Sequence, residues 1–226
     1  MAPTRAPAKL RDQAYASFTQ HLRDRELEPG QFISQRELVV LTGHPLGAIR
    51  ELIPRLEAEG LIRTVPQRGM QIATVDLTLV RDAFQFRLIL EREAALHYAR
   101  TAADNDIEDW RTQHQAILDA VNLGPVDDQL IDRAQALDDG FHDALIDALG
   151  NAIISHAYRV NSIKIRLIRH AKTRLHTLLV EPVMREHLEL INALASRDEA
   201  EVARTFTHHI NNARNRALTL DQSPAA

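Results

Sequence analysis

Cysteine is absent from this 226-residue chain, which excludes disulfides and thiolate-metal centres and fits a reducing, cytoplasmic setting. Long apolar runs are absent too. None approaches the roughly 20 residues that a membrane span requires, and the opening MAPTRAPAKL lacks the apolar core of a secretion signal, so no membrane partner is expected. Aromatic residues amount to only 4%, whereas Ala, Leu and Arg are abundant, a bias that favours helix. Apolar residues at 45% and charged residues at 26% are those of an ordinary globular protein. The net charge of −4 is unevenly spread. Residues 1–72 carry ten Lys/Arg against eight Asp/Glu, and residues 76–226 carry seventeen against twenty-three. A mildly basic head on an acidic body suits a protein whose head meets phosphate.

Residues 1–10, with Pro3 and Pro7, read as a frayed arm, and the closing DQSPAA reads as a disordered tail. Between them the punctuation is dense at first. Tyr15, Phe18 and Leu22 share one helical face from about Leu10 to Glu26, and Pro29-Gly30 ends it. Ser34-Gln35-Arg36-Glu37 has the spacing of a capping box and starts a short helix that Gly43 stops by adopting a left-handed conformation. A second helix is expected from about Pro45 to Glu59, bent by Pro54, which cannot donate to the carbonyl of Arg50. Residues 61–65 and 70–75 look like strands joined by Pro66-Gln67-Arg68-Gly69, with the glycine supplying a positive φ. Helix, short helix, tight turn, helix and β-hairpin is the order of a winged helix-turn-helix. After Asp76 every segment is helical, over about 77–101, 105–122, 127–149, 151–171, 174–196 and 198–219. Loops this short imply antiparallel neighbours in a bundle. The expected architecture is mainly α: a winged helix-turn-helix over residues 1–75, then an all-α antiparallel bundle of about six helices over 76–226.

The stretches Leu27-Glu28-Pro29-Gly30, Ser34-Gln35-Arg36-Glu37-Leu38, Ile49-Arg50-Glu51, Arg55 to Ile62 and Gln67-Arg68-Gly69 together resemble the head of the GntR family of bacterial transcription regulators. The helical remainder resembles the effector domain of its FadR branch. The resemblance implies that Arg36, Arg50 and the wing glycine Gly69 meet double-stranded operator DNA. Arginine forks match phosphate or the O6/N7 edge of guanine. Arg68 is a further wing contact, and Gly47, at a helix start with free amides, permits close approach of the backbone. The family's Ser-Arg-Thr-Pro-like run at that start is replaced by Pro45-Leu46-Gly47-Ala48. The loss of that arginine removes a base contact worth roughly 1–3 kcal/mol, so an altered operator is expected.

In the body, Asp138 and His142 lie at i, i+4, where two side chains on one helix face can grip one cation. The metal-binding subset of the resembling domain carries this Asp-x-x-x-His pair, then a Glu-His, here Glu186-His187, and a histidine twenty-two residues later, here His209. The resemblance therefore implies a metal site of Asp138, His142, His187 and His209. Three imidazoles and a carboxylate suit a divalent transition metal, Zn²⁺ first and Ni²⁺ or Mn²⁺ next. Asp139 and His208 are one residue out of register and should face away, and His176 lies outside the motif. The implied effector is a small carboxylate held by the metal and Arg87; Arg159, Asn161 and Arg166 on the fourth body helix are further candidates by residue type, and a homodimer whose two heads read a palindrome is expected. The competing reading is a metal-dependent hydrolase with Glu186 or Asp139 as general base, although no His-Glu-x-x-His motif occurs.

Overall fold

The computed structural model describes residues 9–172 and 177–219, with side chains omitted at 170–172, 177 and 219. The arm up to residue 8, His176 and the tail from 220 lie outside the described residues. Two compact units are present. The first comprises residues up to Asp76 together with Arg166–Ala171, and the second comprises Leu77–Ile165 and Lys172 onward.

The first unit contains α1 (Leu10–Arg23), β1 (Phe32–Ile33), α2 (Gln35–Thr42), α3 (Leu46–Ala58), β2 (Ile62–Val65) and β3 (Gly69–Ile72). The capping box forms at the start of α2: Ser34 Oγ accepts from the Glu37 amide at 3.2 Å, and Glu37 accepts from the Ser34 amide at 2.7 Å. Gly43 closes α2 in the left-handed region, at φ 69°. Phe18 of α1, Leu38 of α2, Ile49, Leu52 and Leu56 of α3, and Leu61 and Ile72 beside the hairpin are fully buried and make the core that holds three helices and a sheet together. Despite Pro54, α3 is a single helix, with Leu52 and Leu56 buried on either side of the proline.

Two local features differ from expectation. A third strand, β1, pairs antiparallel with β3, so the sheet order is β1-β3-β2. Two residues are too short to show an alternation in sequence. The hairpin also uses two left-handed residues. Arg68 N donates to Val65 O at 3.1 Å across a turn in which Pro66 is followed by Gln67 at φ 64°, the arrangement of a type II turn. Gly69, at φ 89°, then opens β3. A Cβ at Gly69 would lie 3.1 Å from the carbonyl oxygen of Ile33 in β1. Gly69→Ala is therefore expected to cost about 1–2 kcal/mol through the left-handed backbone alone, read as a lowered midpoint in urea unfolding.

The second unit contains α4 (Leu77–Thr101), α5 (Asp104–Leu123), α6 (Asp128–Ala148), α7 (Ala152–Lys172, of which residues 166–171 group with the first unit), α8 (Thr177–Ser196) and α9 (Glu199–Thr219). Side-chain caps mark three starts: Asp127 accepts from Leu130 N, Asn151 from Ile153 and Ile154 N, and Asp198 from Ala200 and Glu201 N. Sequential neighbours pack as α5 with α6 and α8 with α9, but the broadest contacts join distant helices, α4 on α9 and α5 on α8. Two apolar clusters result. One is built from Ile117, Leu118, Leu130, Ala134, Val183 and Met184, the other from Tyr98, Phe141, Leu145, Leu190, Leu194 and Phe206. Along α5, α6 and α8 the chain passes from one cluster to the other through His114, Asp138 and His187, respectively. The polar centre is thus set between two blocks of hydrocarbon.

Candidate functional site

His142 of α6, His187 of α8 and His209 of α9 are all buried, and one ring nitrogen from each lies within 4.8 Å of the others. Ring centroids are 5.0 Å apart for His142 and His187, 4.8 Å for His187 and His209, and 5.3 Å for His142 and His209. Asp138, one turn before His142, places Oδ1 3.2 Å from His187 Nε2 and 4.0 Å from His142 Nε2. The structure therefore brings together the Asp138, His142, His187 and His209 that the sequence singles out. His208, expected to face away, is exposed beside Asn212, whereas Asp139 is half-buried and shares the Gln135 amide with Asp138, at 3.2 and 3.5 Å.

What surrounds each imidazole matters as much. His209 Nδ1 donates to Glu186 Oε2 at 2.8 Å, and Glu186 is itself held by Arg216 at 2.7 Å and Asn212 at 3.3 Å. His142 Nδ1 stands 2.8 Å from Glu91 Oε2, at pairing distance though out of line for a hydrogen bond. His187 Nδ1 lies 3.0 Å from Nε2 of His114. The Nε2 atoms of His142, His187 and His209 make no aligned hydrogen bond, although all are buried. Buried nitrogens are rarely left this way. Three of them converging beside a carboxylate, each ring steered through its other nitrogen, is what a divalent metal requires.

Arg87 and Glu91, one turn apart on α4, are both buried and ion-paired, and Tyr158 of α7 donates to Glu91 Oε1 at 2.6 Å. Burial pushes the Glu91 carboxyl up, but Arg87 and His142 hold it well below the usual carboxylate range. Glu91 therefore keeps its charge. Arg87 also keeps its charge, yet its Nη1 has no hydrogen-bond partner among the described residues. The other expected effector contacts are placed differently. Asn161 spends its amide on the carbonyl of Ala83 at 3.1 Å, and Arg159 pairs with Asp147 on the surface. Arg166 belongs to the first unit, eight residues beyond Tyr158 and so about 12 Å along the helix axis.

Burial lowers the pKa of all three imidazoles, and of His114; for His114 and His209 the value falls to about 4. An unfolded histidine titrates near 6.5. Between these values the unfolded chain takes up protons that the folded chain refuses, so stability is full above about pH 6.5 and falls as the pH drops toward 4. The metal-free protein should accordingly show a urea midpoint that declines steeply over that window. His209→Phe, which removes one titrating group, should flatten the decline. Glu186 is pulled the other way: against burial, His209 and Arg216 lower it to about 2. A carboxylate so stabilised in its charged form makes a poor general base at neutral pH, which counts against Glu186 in the hydrolase reading.

His114, Glu91 and Tyr158 are the residues that sequence reasoning missed. A signal for two of them was present. His114 continues the apolar stripe of Ile107, Trp110, Ile117 and Leu118, and Glu91 lies in the stripe of Phe84, Ala94, Ala95 and Tyr98. A titratable residue inside such a stripe has to be partnered.

On the first unit, the residues expected at DNA fall on three neighbouring features. Arg36 is exposed in the first turn of α2. Arg50 is exposed on α3 and donates through Nε to Gln35 Oε1 at 3.4 Å. Gly47 is exposed with open space where a Cβ would be, and the start of α3 has no side-chain cap. Arg68 lies over the Phe32 ring at 4.0 Å, so β1 supports the wing arginine.

Residues 10–72 match the family model of bacterial regulatory proteins of the gntR family, and residues 82–212 match the FCD domain. The chain is 26% identical over 184 residues to the HTH-type transcriptional repressor RspR of Escherichia coli K12, across 81% of this chain and 78% of that protein. It is likewise 26% identical over 182 residues to the Nta operon transcriptional regulator of Aminobacter aminovorans, across 80% and 82%. The solved structure of E. coli McbR/YncC shares the fold, with a TM-score of 0.74 at 14% identity over 94% of this chain and 98% of that one. Family and relatives are transcriptional regulators rather than enzymes. No described helix is long and apolar enough to cross a membrane. The chain belongs to the GntR family, as a DNA-binding transcriptional regulator with an FCD effector-binding domain.

Proposed function

We propose that this regulator is a cytoplasmic homodimer whose affinity for operator DNA is set by a small carboxylate bound at a divalent metal in the FCD domain. The observation that carries the reading is the convergence beside Asp138 of three buried Nε2 atoms that make no aligned hydrogen bond among the described residues. Asp138, His142, His187 and His209 would hold the ion, which supplies a Lewis-acidic anchor for a carboxylate oxygen. Zn²⁺ fits this donor set best, with Ni²⁺ or Mn²⁺ as substitutes. Arg87 Nη1, buried and with no hydrogen-bond partner among the described residues, supplies the second anchor as a charge-assisted donor. Repression is the direction we assign, in keeping with the repressor RspR.

Arg36, Arg50, Arg68, Gly47 and Gly69 form the proposed DNA surface. With Leu46 in place of an arginine, base discrimination rests more on Arg50, on the wing and on DNA shape. The test is a salt titration of binding to the promoter beside its own gene and to unrelated DNA of equal length. The reading expects tighter binding to the promoter, with log K falling linearly as log salt rises. Arg36→Ala and Arg50→Ala should each make that slope shallower or erase the preference. Equal binding to both DNAs at every salt concentration would overturn it.

A further inference from the structure

The third imidazole of the cluster is steered by another imidazole, where its two neighbours face carboxylates. His114 Nδ1 lies 2.7 Å from the carbonyl oxygen of Trp110, one turn earlier on α5. A carbonyl only accepts, so Nδ1 of His114 carries the proton and its Nε2 carries the lone pair. That lone pair faces Nδ1 of His187 at 3.0 Å. His187 must then donate from Nδ1, which leaves its Nε2 as the lone pair that faces Asp138 Oδ1 at 3.2 Å. Two neutral rings supply two N–H groups for three joints, so one joint always sets two lone pairs face to face; in this order it is the joint of His187 Nε2 with Asp138 Oδ1, where a divalent cation takes the place of the missing proton. Packing holds the chain in line. His114 meets Phe141 edge-on at 5.4 Å, and the same ring contacts His187 at 5.4 Å.

We propose that His114 is the positioning residue of the metal centre, passing the polarity of the Trp110 carbonyl through its own ring to fix His187 in the form whose Nε2 can ligate a divalent cation. This inference rests on the metal reading above, because the order is complete only with a cation between His187 Nε2 and Asp138. His114 touches neither the ion nor an effector. Its contribution is to accept from His187 Nδ1 and so aim the Nε2 lone pair at the ion. Losing a partner of this kind typically weakens metal affinity by about 10–100-fold.

Three proteins separate this role from simple packing: wild type, His114→Phe, which fills the space without an acceptor, and His114→Gln, whose side-chain oxygen reaches the position of Nε2. Two measurements are made on each, ¹⁵N NMR of the histidine rings in Zn²⁺-loaded protein, and Zn²⁺ affinity by competition with a chromophoric chelator. The proposal expects His114 of the loaded wild type protonated at Nδ1 and bare at Nε2. Zn²⁺ affinity should fall 10–100-fold in His114→Phe and return to within a few-fold of wild type in His114→Gln. A loaded wild type with His114 protonated at Nε2 alone overturns the proposal. Unchanged Zn²⁺ affinity in a folded His114→Phe overturns it as well. If His114→Phe does not fold, the tautomer of His114 in the loaded wild type and the affinity of His114→Gln decide. A wild type that binds no Zn²⁺ contradicts the metal reading, whereas one that binds it with His114→Phe unaffected contradicts this inference alone.

Discussion

His187→Ala and His209→Ala should each emerge from purification without bound divalent metal, and His208→Ala should retain it. The contrast between His208 and His209 is the informative part. The two are adjacent in sequence, but one helical step turns them about 100° apart. His208 is exposed beside Asn212, whereas His209 is buried with its Nδ1 tied to Glu186. Removing one of three imidazoles from a four-ligand set leaves a site open to water and short of a neutral donor. Affinity should drop by well over the roughly 10–100-fold assigned to an outer partner. Metal content by atomic emission, normalised to protein, checks the prediction. Equal content in the three variants would contradict the ligand set, and loss in His208→Ala alone would relocate it.

The second large effect concerns stability. Arg87→Leu removes the counter-charge from Glu91, which has no exposed surface and whose remaining neighbours are Tyr158 and His142. Stranding a buried carboxylate costs about 3–5 kcal/mol, a large share of what a domain of this size possesses. Substituting both partners, Arg87→Leu with Glu91→Met, should recover only part of that loss: the stranded charge is gone, but the buried Tyr158 hydroxyl then lacks its acceptor. Both variants should lose the response to carboxylate, since the donor at Arg87 Nη1 is gone in each. Urea unfolding of the single and double variants reads the first effect. If Arg87→Leu unfolded at the wild-type midpoint, the ion pair would not be the buried one described.

Much of this was legible in the sequence because local rules and the fold agree. Ser34 and Glu37 build the capping box that their spacing demands, Gly43 closes the helix left-handed, and the junctions α4–α5, α5–α6, α6–α7 and α8–α9 fall within about three residues of their Asp, Asn, Gly and Pro signals. The clustering of Asp138, His142, His187 and His209 was legible because a helical spacing and a family pattern coincide at Asp138 and His142. The three-dimensional partners were not. Nothing in the 73 residues between His114 and His187 announces their contact, which arises only because α5 packs on α8. Strand β1 is too short to show a period, and the left-handed Gln67 occupies a turn position where glycine or asparagine is the usual residue. Asn161 and Arg166 were read as effector contacts from residue type alone. The amide of Asn161 goes to a backbone carbonyl, and Arg166 falls in the other unit.

The central claim is that metal and carboxylate act together on DNA affinity. Fluorescence anisotropy with a labelled promoter fragment tests it in four states: stripped protein, Zn²⁺-loaded protein, each of these with citrate, and His209→Ala treated alike. Coupling between sites in a protein is typically worth 5–150-fold. The account predicts that citrate shifts the wild-type midpoint by at least that lower bound when Zn²⁺ is bound, and leaves stripped protein and His209→Ala unmoved. A citrate shift of equal size in stripped and loaded protein, or none in either across acetate, succinate and citrate, would contradict it.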